Sequence, residues 1–169
     1  AYQILKNTSI NCAGGPTPWG TWLSCEEFTH GQVYECDPMG RNPSAVRPAL
    51  GAFRHEAVAV DSENKCLYLT EDHPAGAFYR FRPDHPLPDL SSGQLEIASV
   101  VARNGKSFIE WIAVPDPLAI VEATRLQVPS YAVFRGGEGI ALYEGRAYFT
   151  TKHDNRVWVY HTNTQELEV

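Results

Sequence analysis

The stretch Tyr68-Leu69-Thr70-Glu71-Asp72, His73-Pro74-Ala75-Gly76, Ala77-Phe78-Tyr79-Arg80-Phe81 decides the fold. An apolar run ends in a polar cluster, a Pro-Gly turn reverses the chain, and an aromatic run leads back, which is the pattern of a β-hairpin. The plan recurs on both sides. Trp22-Leu23-Ser24-Cys25-Glu26-Glu27 passes through Thr29-His30-Gly31 into Gln32-Val33-Tyr34-Glu35-Cys36. Tyr148-Phe149-Thr150-Thr151-Lys152 passes through His153-Asp154-Asn155 into Arg156-Val157-Trp158-Val159-Tyr160. Aligning the three hairpins places Cys25, Glu71 and Thr151 at equivalent positions, with Glu26, Asp72 and Lys152 one residue later.

Two of the hairpins follow a further strand that opens near a glutamate, His55-Glu56-Ala57-Val58-Ala59-Val60-Asp61 and Gly137-Glu138-Gly139-Ile140-Ala141-Leu142-Tyr143. Turns at Ser62-Glu63-Asn64-Lys65 and Glu144-Gly145 connect them, so the repeating unit is an antiparallel meander. Repeats of about 40–50 residues with this make-up are β-propeller blades. The expected fold is all-β, a partial β-propeller of about three to four antiparallel blades with one short helix. Residues 1–169 are expected to form a single domain belonging to a larger propeller, because a closed ring needs at least about four blades. A start without Met and an end just after a strand-like run point the same way.

Between the second and third hairpins, Leu95 to Val101 and Phe108 to Val114 read as strands. Leu118, Val121, Ala123 and Leu126 follow Pro115-Asp116-Pro117 at loose helical spacing and predict the helix over 118–127. Pro83-Asp84-His85-Pro86-Leu87-Pro88 predicts an exposed loop, since proline removes ladder donors. Trp19, Trp22, Trp111 and Trp158 are expected to pack between blades.

Composition narrows the function. With 43% hydrophobic and 20% charged residues the chain is globular rather than disordered. A net charge of -6, from 14 basic and 20 acidic residues, argues against a nucleic-acid partner, which needs a basic face. No run of about 18 apolar residues is available to span a membrane, and no membrane partner is expected. Cys12, Cys25, Cys36 and Cys66 form no C-x-x-C pair, and free buried thiols or a single disulfide account for Cys12, Cys36 and Cys66. Neither Gly14-Gly15 nor Gly136-Gly137 is followed by the Lys-Ser/Thr of a phosphate-cradling loop.

In a propeller the start of a blade's first strand and the end of its second lie at the same mouth of the channel. Glu56 and Glu138 open first strands, whereas Cys25-Glu26-Glu27, Glu71-Asp72 and Lys152 close second strands, so all are expected around one mouth. Solvated strand-end carboxylates are the ordinary alternative. Carboxylates packed this closely raise one another's pKa unless cations intervene. Metal ions meet that need: carboxylates suit calcium, magnesium, manganese or ferric iron, and a thiolate among them favours a transition metal. Such a site acts as a Lewis acid on phosphoryl or carbonyl oxygen. Arg135 and Lys152 then offer positive charge to an anionic substrate, or neutralise the acidic mouth. His55 and His153 are weaker candidates for proton transfer.

The stretch Asn11-Cys12-Ala13-Gly14-Gly15-Pro16-Thr17-Pro18-Trp19-Gly20-Thr21-Trp22-Leu23-Ser24-Cys25-Glu26-Glu27 resembles the PhoX-type alkaline phosphatases and their bacterial relatives. His55-Glu56, Tyr68 to Asp72, and Arg135-Gly136-Gly137-Glu138-Gly139 with Tyr148-Phe149-Thr150 extend the resemblance over most of the chain. It implies a β-propeller carrying ferric iron and calcium, with Cys25 as iron ligand and Glu26, Glu56, Glu71, Asp72 and Glu138 as further metal ligands. It also implies phosphomonoester hydrolysis of a small phosphorylated substrate, in a periplasmic or extracellular location reached folded by the twin-arginine route. Monomeric behaviour is expected. In the phosphatase pattern a basic residue stands closer to the third-blade glutamate than Arg135 does here. Two alternatives stand beside this reading: a metal-stabilised propeller that binds a ligand or partner without chemistry, and a calcium-dependent lactonase-like hydrolase, which the thiol disfavours.

Overall fold

Each hairpin is the middle of a four-stranded antiparallel meander in the computed structural model, which describes residues 2–169. The first meander comprises β1 (Asn11–Pro16), β2 (Trp22–Glu26), β3 (Val33–Cys36) and β4 (Ala45–Val46). The second comprises β5 (His55–Asp61), β6 (Cys66–Glu71), β7 (Phe78–Pro83) and β8 (Gly93–Arg103). After β9 (Lys106–Ala113) the third runs through β10 (Gly137–Tyr143), β11 (Arg146–Thr151), β12 (Arg156–His161) and β13 (Glu166–Glu168). The fold is all-β, as the repeats predict.

Strand β9 explains the irregular stretch. It returns along β8 from a two-residue turn at Asn104 and Gly105, whose φ angles of 51° and 76° give the twist that a tight hairpin needs. Its free edge then takes β13, with Phe108 opposite Glu166. The outer edges of the second and third meanders are thereby stitched into one nine-stranded sheet, while the first meander remains a separate sheet.

The three meanders pack face to face, because successive side chains of a strand point to opposite faces. On β6 and β7, Leu67, Leu69, Tyr79 and Phe81 join Leu23 and Val33 of the first meander in one core. Tyr68 and Phe78 join Phe149, Trp158 and Tyr160 of the third meander in the other. β6 therefore reads as an unbroken apolar run: both of its faces are covered. Phe78 stacks on Phe149 with ring centroids 4.3 Å apart, and Phe134 closes the stack edge-on at 5.9 and 5.4 Å. Trp19, Trp111 and Trp158 pack against these cores as expected. Trp22 does not: Leu23 takes the core side of β2, so Trp22 faces outward and is 38% exposed.

The predicted helix over 118–127 reduces to a single 3-10 turn at Thr124–Gln127. Asp116 captures the backbone N–H groups of Leu118 and Ile120 at 3.1 and 2.8 Å, and Ala119 turns to a φ of 53°. An aspartate that supplies the backbone with partners in this way competes with helix formation. The apolar spacing also finds no surface to pack on, since Leu118, Val121 and Leu126 are exposed.

The inner strands β1, β5 and β10 adjoin at the centre, with β5 between the other two. Gly15 permits the closest of these approaches: a Cβ there would lie 1.9 Å from the Val58 carbonyl oxygen on β5. Gly15→Ala is expected to push β1 off β5 and cost about 1–3 kcal/mol, read as a lower denaturation midpoint.

Candidate metal centre

The three meanders share one register at their polar ends. Asn11 pairs with Glu26, His55 with Glu71 and Gly137 with Thr151, and immediately beyond each pair the inner strand shifts register. The next residue of each second strand donates its N–H across the repeat: Glu27 to the Ile10 carbonyl at 2.9 Å, Asp72 to Arg54 at 3.0 Å and Lys152 to Gly136 at 2.9 Å. Glu27, Asp72 and Lys152 are therefore equivalent, as are Cys12, Glu56 and Glu138 in the irregular part of the inner strands. The sequence alignment, which paired Cys25 with Glu71, is one residue out. Phe28 belongs to the first turn, where Gly31 donates to Phe28 O at 2.7 Å just as Gly76 donates to His73 O. The turn therefore starts at Phe28, one residue before Thr29.

These equivalences place a thiol, four carboxylates and two cations at one end of the inner strands. Cys12 Sγ donates to Glu56 Oε1 at 3.2 Å. Cys12, Glu27 and Glu56 each present one ligand atom, all within 4.8 Å of one another. Arg54 bonds Glu27 at 2.8 Å and lies 3.7 Å from Asp72. Lys152 spans Asp72 at 2.7 Å and Glu138 at 2.8 Å. Although Cys12 is exposed, partial desolvation by its surroundings pushes its thiol up to about 11, helped by its hydrogen bond to Glu56 and that carboxylate's charge. Burial likewise holds Glu56 above the ordinary carboxylate range; the charges of Glu138, Glu27 and Asp72 reinforce this, and the Cys12 hydrogen bond opposes it. Burial also acts on Asp72, but its bonds with Glu27 and Lys152 and the Lys152 and Arg54 charges outweigh it and leave that carboxyl low.

Of the residues expected at the mouth, Glu27, Glu56, Asp72, Glu138 and Lys152 meet there, joined by Cys12 and Arg54. Cys25 is 0% exposed within the first core beside Leu23 and Val33, and burial drives its thiol far up. Glu26 accepts from Thr8 Oγ1 and the Ser9 N–H at 2.9 Å and from the Gln32 N–H at 3.1 Å. Glu71 accepts from the Ala77 N–H at 3.0 Å, Tyr79 Oη at 3.1 Å and Arg125 at 2.6 Å. Both glutamates thus hold the amide six residues on and fasten the turns that follow them. Arg135 is exposed, and among the described residues its guanidinium has no ion-pair partner. One signal would have found Cys12: it stands second in its inner strand, as Glu56 and Glu138 do.

Neither histidine joins the cluster's hydrogen bonds. His153 is exposed. His55 is buried against Phe53, with Nε2 3.0 Å from Gly51 O and Nδ1 without a partner. Burial lowers its pKa from 6.5 to about 4. The folded state therefore favours the neutral ring: this contribution is complete above pH 6.5 and is lost as pH falls toward 4. The loss amounts to about 3 kcal/mol over the window. Urea titrations at pH 7 and pH 4.5 are expected to show it, with a flatter acid limb for His55→Gln.

A family model described as alkaline phosphatase PhoX matches residues 2–32 and 28–168. No curated protein matches the chain. Among solved structures, Pseudomonas fluorescens PhoX in complex with vanadate, a transition state analogue, superposes with a TM-score of 0.74 at 19% identity. The match covers 92% of this chain and 45% of that one, so at this identity it speaks for the fold and for somewhat under half of that protein.

Proposed function

The chain belongs to the alkaline phosphatase PhoX family, and from that premise we propose that it supplies one side of the metal centre of a phosphohydrolase built on a larger propeller. The observation that carries the reading is the convergence of Cys12, Glu27 and Glu56 from two meanders onto one spot. The donor set fits a metal. Among the described residues, the thiol and four carboxylates form ion pairs only with Arg54 and Lys152, leaving an excess of negative charge. Cys12, Glu27 and Glu56 would hold ferric iron, which accepts thiolate and carboxylate together, while all-oxygen positions suit calcium. Bound there, the metal supplies Lewis-acid stabilisation of a phosphoryl group.

The chain's own groups divide the remaining work. Arg135 offers an unpaired fork of N–H donors to a phosphate, the geometry guanidinium matches best. Arg54 fixes Glu27 and lies close to Asp72, which keeps the two carboxylates oriented before any ligand arrives. The substrate class is a small phosphate monoester, and the site of action is outside the cytoplasm, as family membership suggests. Among the described residues no helix is long and apolar enough to cross a membrane.

The test is a panel of phosphate monoesters presented to the full-length metal-loaded protein. Turnover that a chelator abolishes and metal restores is expected. Inertness of metal-replete protein contradicts the catalytic reading and favours a propeller that binds without chemistry. Arg135→Ala is expected to raise KM about tenfold or more, corresponding to loss of one charge-assisted phosphate contact of about 1.5–3 kcal/mol, with metal content unchanged.

A further inference from the structure

The two arginines of β7 stand at the end of the molecule away from the mouth. Because side chains alternate along a strand, the face of β6 and β7 that carries Tyr68 and Phe78 into the second core continues there as Cys66, Arg80 and Arg82. At that end the apolar packing between the second and third meanders gives way to a cavity of about 170 Å³. Its walls include Arg80 and Arg82, Asn64 from the turn between β5 and β6, and Thr162 and Gln165 from the turn between β12 and β13. We propose that this cavity binds a small tetrahedral oxyanion, with inorganic phosphate as the ligand, across the junction of the two meanders. The site is separate from the metal centre and does not depend on it.

The open donors decide the sign of the ligand. The Arg80 side chain is 14% exposed and lies over the Trp111 ring, 4.8 Å from its centroid. Among the described residues Glu96, at 2.6 Å, is its only hydrogen-bond partner. One carboxylate engages at most two of the five guanidinium N–H groups, so at least three stay free. Arg82 is exposed and has no ion-pair partner among the described residues. The other polar walls are committed to one another. Gln165 Oε1 accepts from Tyr160 Oη at 2.6 Å and from Trp111 Nε1 at 3.1 Å. Thr162 Oγ1 donates to Gly145 O at 3.0 Å and accepts from Asn64 Nδ2 at 3.1 Å. Asp61, the other carboxylate at this corner, is held by the Asn64 N–H and Nδ2 at 3.0 and 2.8 Å and does not line the cavity. What remains for a ligand is two guanidinium groups on a rigid wall, and a guanidinium matches phosphate oxygens in pairs. At about 30 Å³ per water the space holds roughly five or six waters, which a single oxyanion and its residual hydration would replace.

The experiment is calorimetric titration of the full-length protein with inorganic phosphate, in wild type, Arg82→Gln, Arg135→Ala and Arg41→Gln. Arg41 is 74% exposed in the first meander, and its variant controls for the loss of one surface charge. Phosphate is expected to bind at a site that Arg82→Gln weakens at least tenfold and that Arg135→Ala and Arg41→Gln leave intact. Arg82 is exposed and outside both cores, so its variant is expected to fold as wild type does. Phosphate is also expected to bind there more tightly than phenylphosphonate, whose ring exceeds the space; the reverse order overturns the assignment to a free oxyanion. Binding that Arg82→Gln leaves unchanged, or that Arg41→Gln or Arg135→Ala weakens equally, overturns the inference and leaves the metal reading untouched.

Discussion

Cys12→Ser is expected to lower the affinity for the transition metal more than tenfold and to erase any thiolate absorption, while the protein stays folded. Cys12 is exposed and contributes nothing to either apolar core, so its loss removes a ligand and little else. Tenfold corresponds to about 1.4 kcal/mol, a modest demand for replacing a thiolate by a hydroxyl that is a far poorer acid. Cys25→Ala is the opposite case. That side chain is wholly enclosed, and its removal is expected to lower stability by about 1 kcal/mol with metal content intact. Metal analysis with denaturant titration of both variants separates the roles. Metal loss in the Cys25 variant and retention in the Cys12 variant would reverse the assignment.

Arg125→Ala is expected to destabilise the fold by about 3–5 kcal/mol, a large part of the roughly 5–15 kcal/mol typical of a domain. Glu71 is 0% exposed, and Arg125 is its only charged partner among the described residues, at 2.6 Å. Burial pulls the Glu71 carboxyl upward, whereas the Arg125 charge, the Ala77 amide and the Tyr79 hydroxyl pull it back. Without Arg125 a buried carboxyl must lose its charge or draw in water. Adding Glu71→Gln to Arg125→Ala is expected to recover part of the loss, because the amide keeps an acceptor for Ala77 without the charge. Denaturation of the two variants at pH 7 is the check, and a loss below about 1 kcal/mol for Arg125→Ala would mean that the pair is not structural.

Much of this molecule is legible before any coordinates. Alternation in the hairpins, with aromatic residues on every return strand, fixes three meanders, because strand periodicity is local and written in consecutive residues. Glu27, Glu56, Asp72, Glu138 and Lys152 follow from the same reasoning, since strand order decides which ends share a mouth. What escapes is whatever depends on register. Alternation tolerates a shift of one residue, and such a shift exchanges Glu27, which stands in the cluster, for Glu26, bound to its own turn, as the ligand candidate. Cys12 escapes for a related reason: in β1 the glycines at 14 and 15 dilute the apolar pattern that marks the other inner strands. Arg125 and Arg54 are partners from distant segments or loop positions, and no local pattern announces them. The apolar spacing over 118–127 shows the converse error, since helical spacing has meaning only where a surface exists to receive it.

The most direct test of the account is elemental analysis of the full-length protein, purified without added metal, together with its visible absorption spectrum. Iron accompanied by calcium, and a thiolate-to-ferric charge-transfer band that disappears in Cys12→Ser, is the predicted result. Protein free of iron and colourless, or a band that persists unchanged without Cys12, would contradict the metal centre on which the function rests.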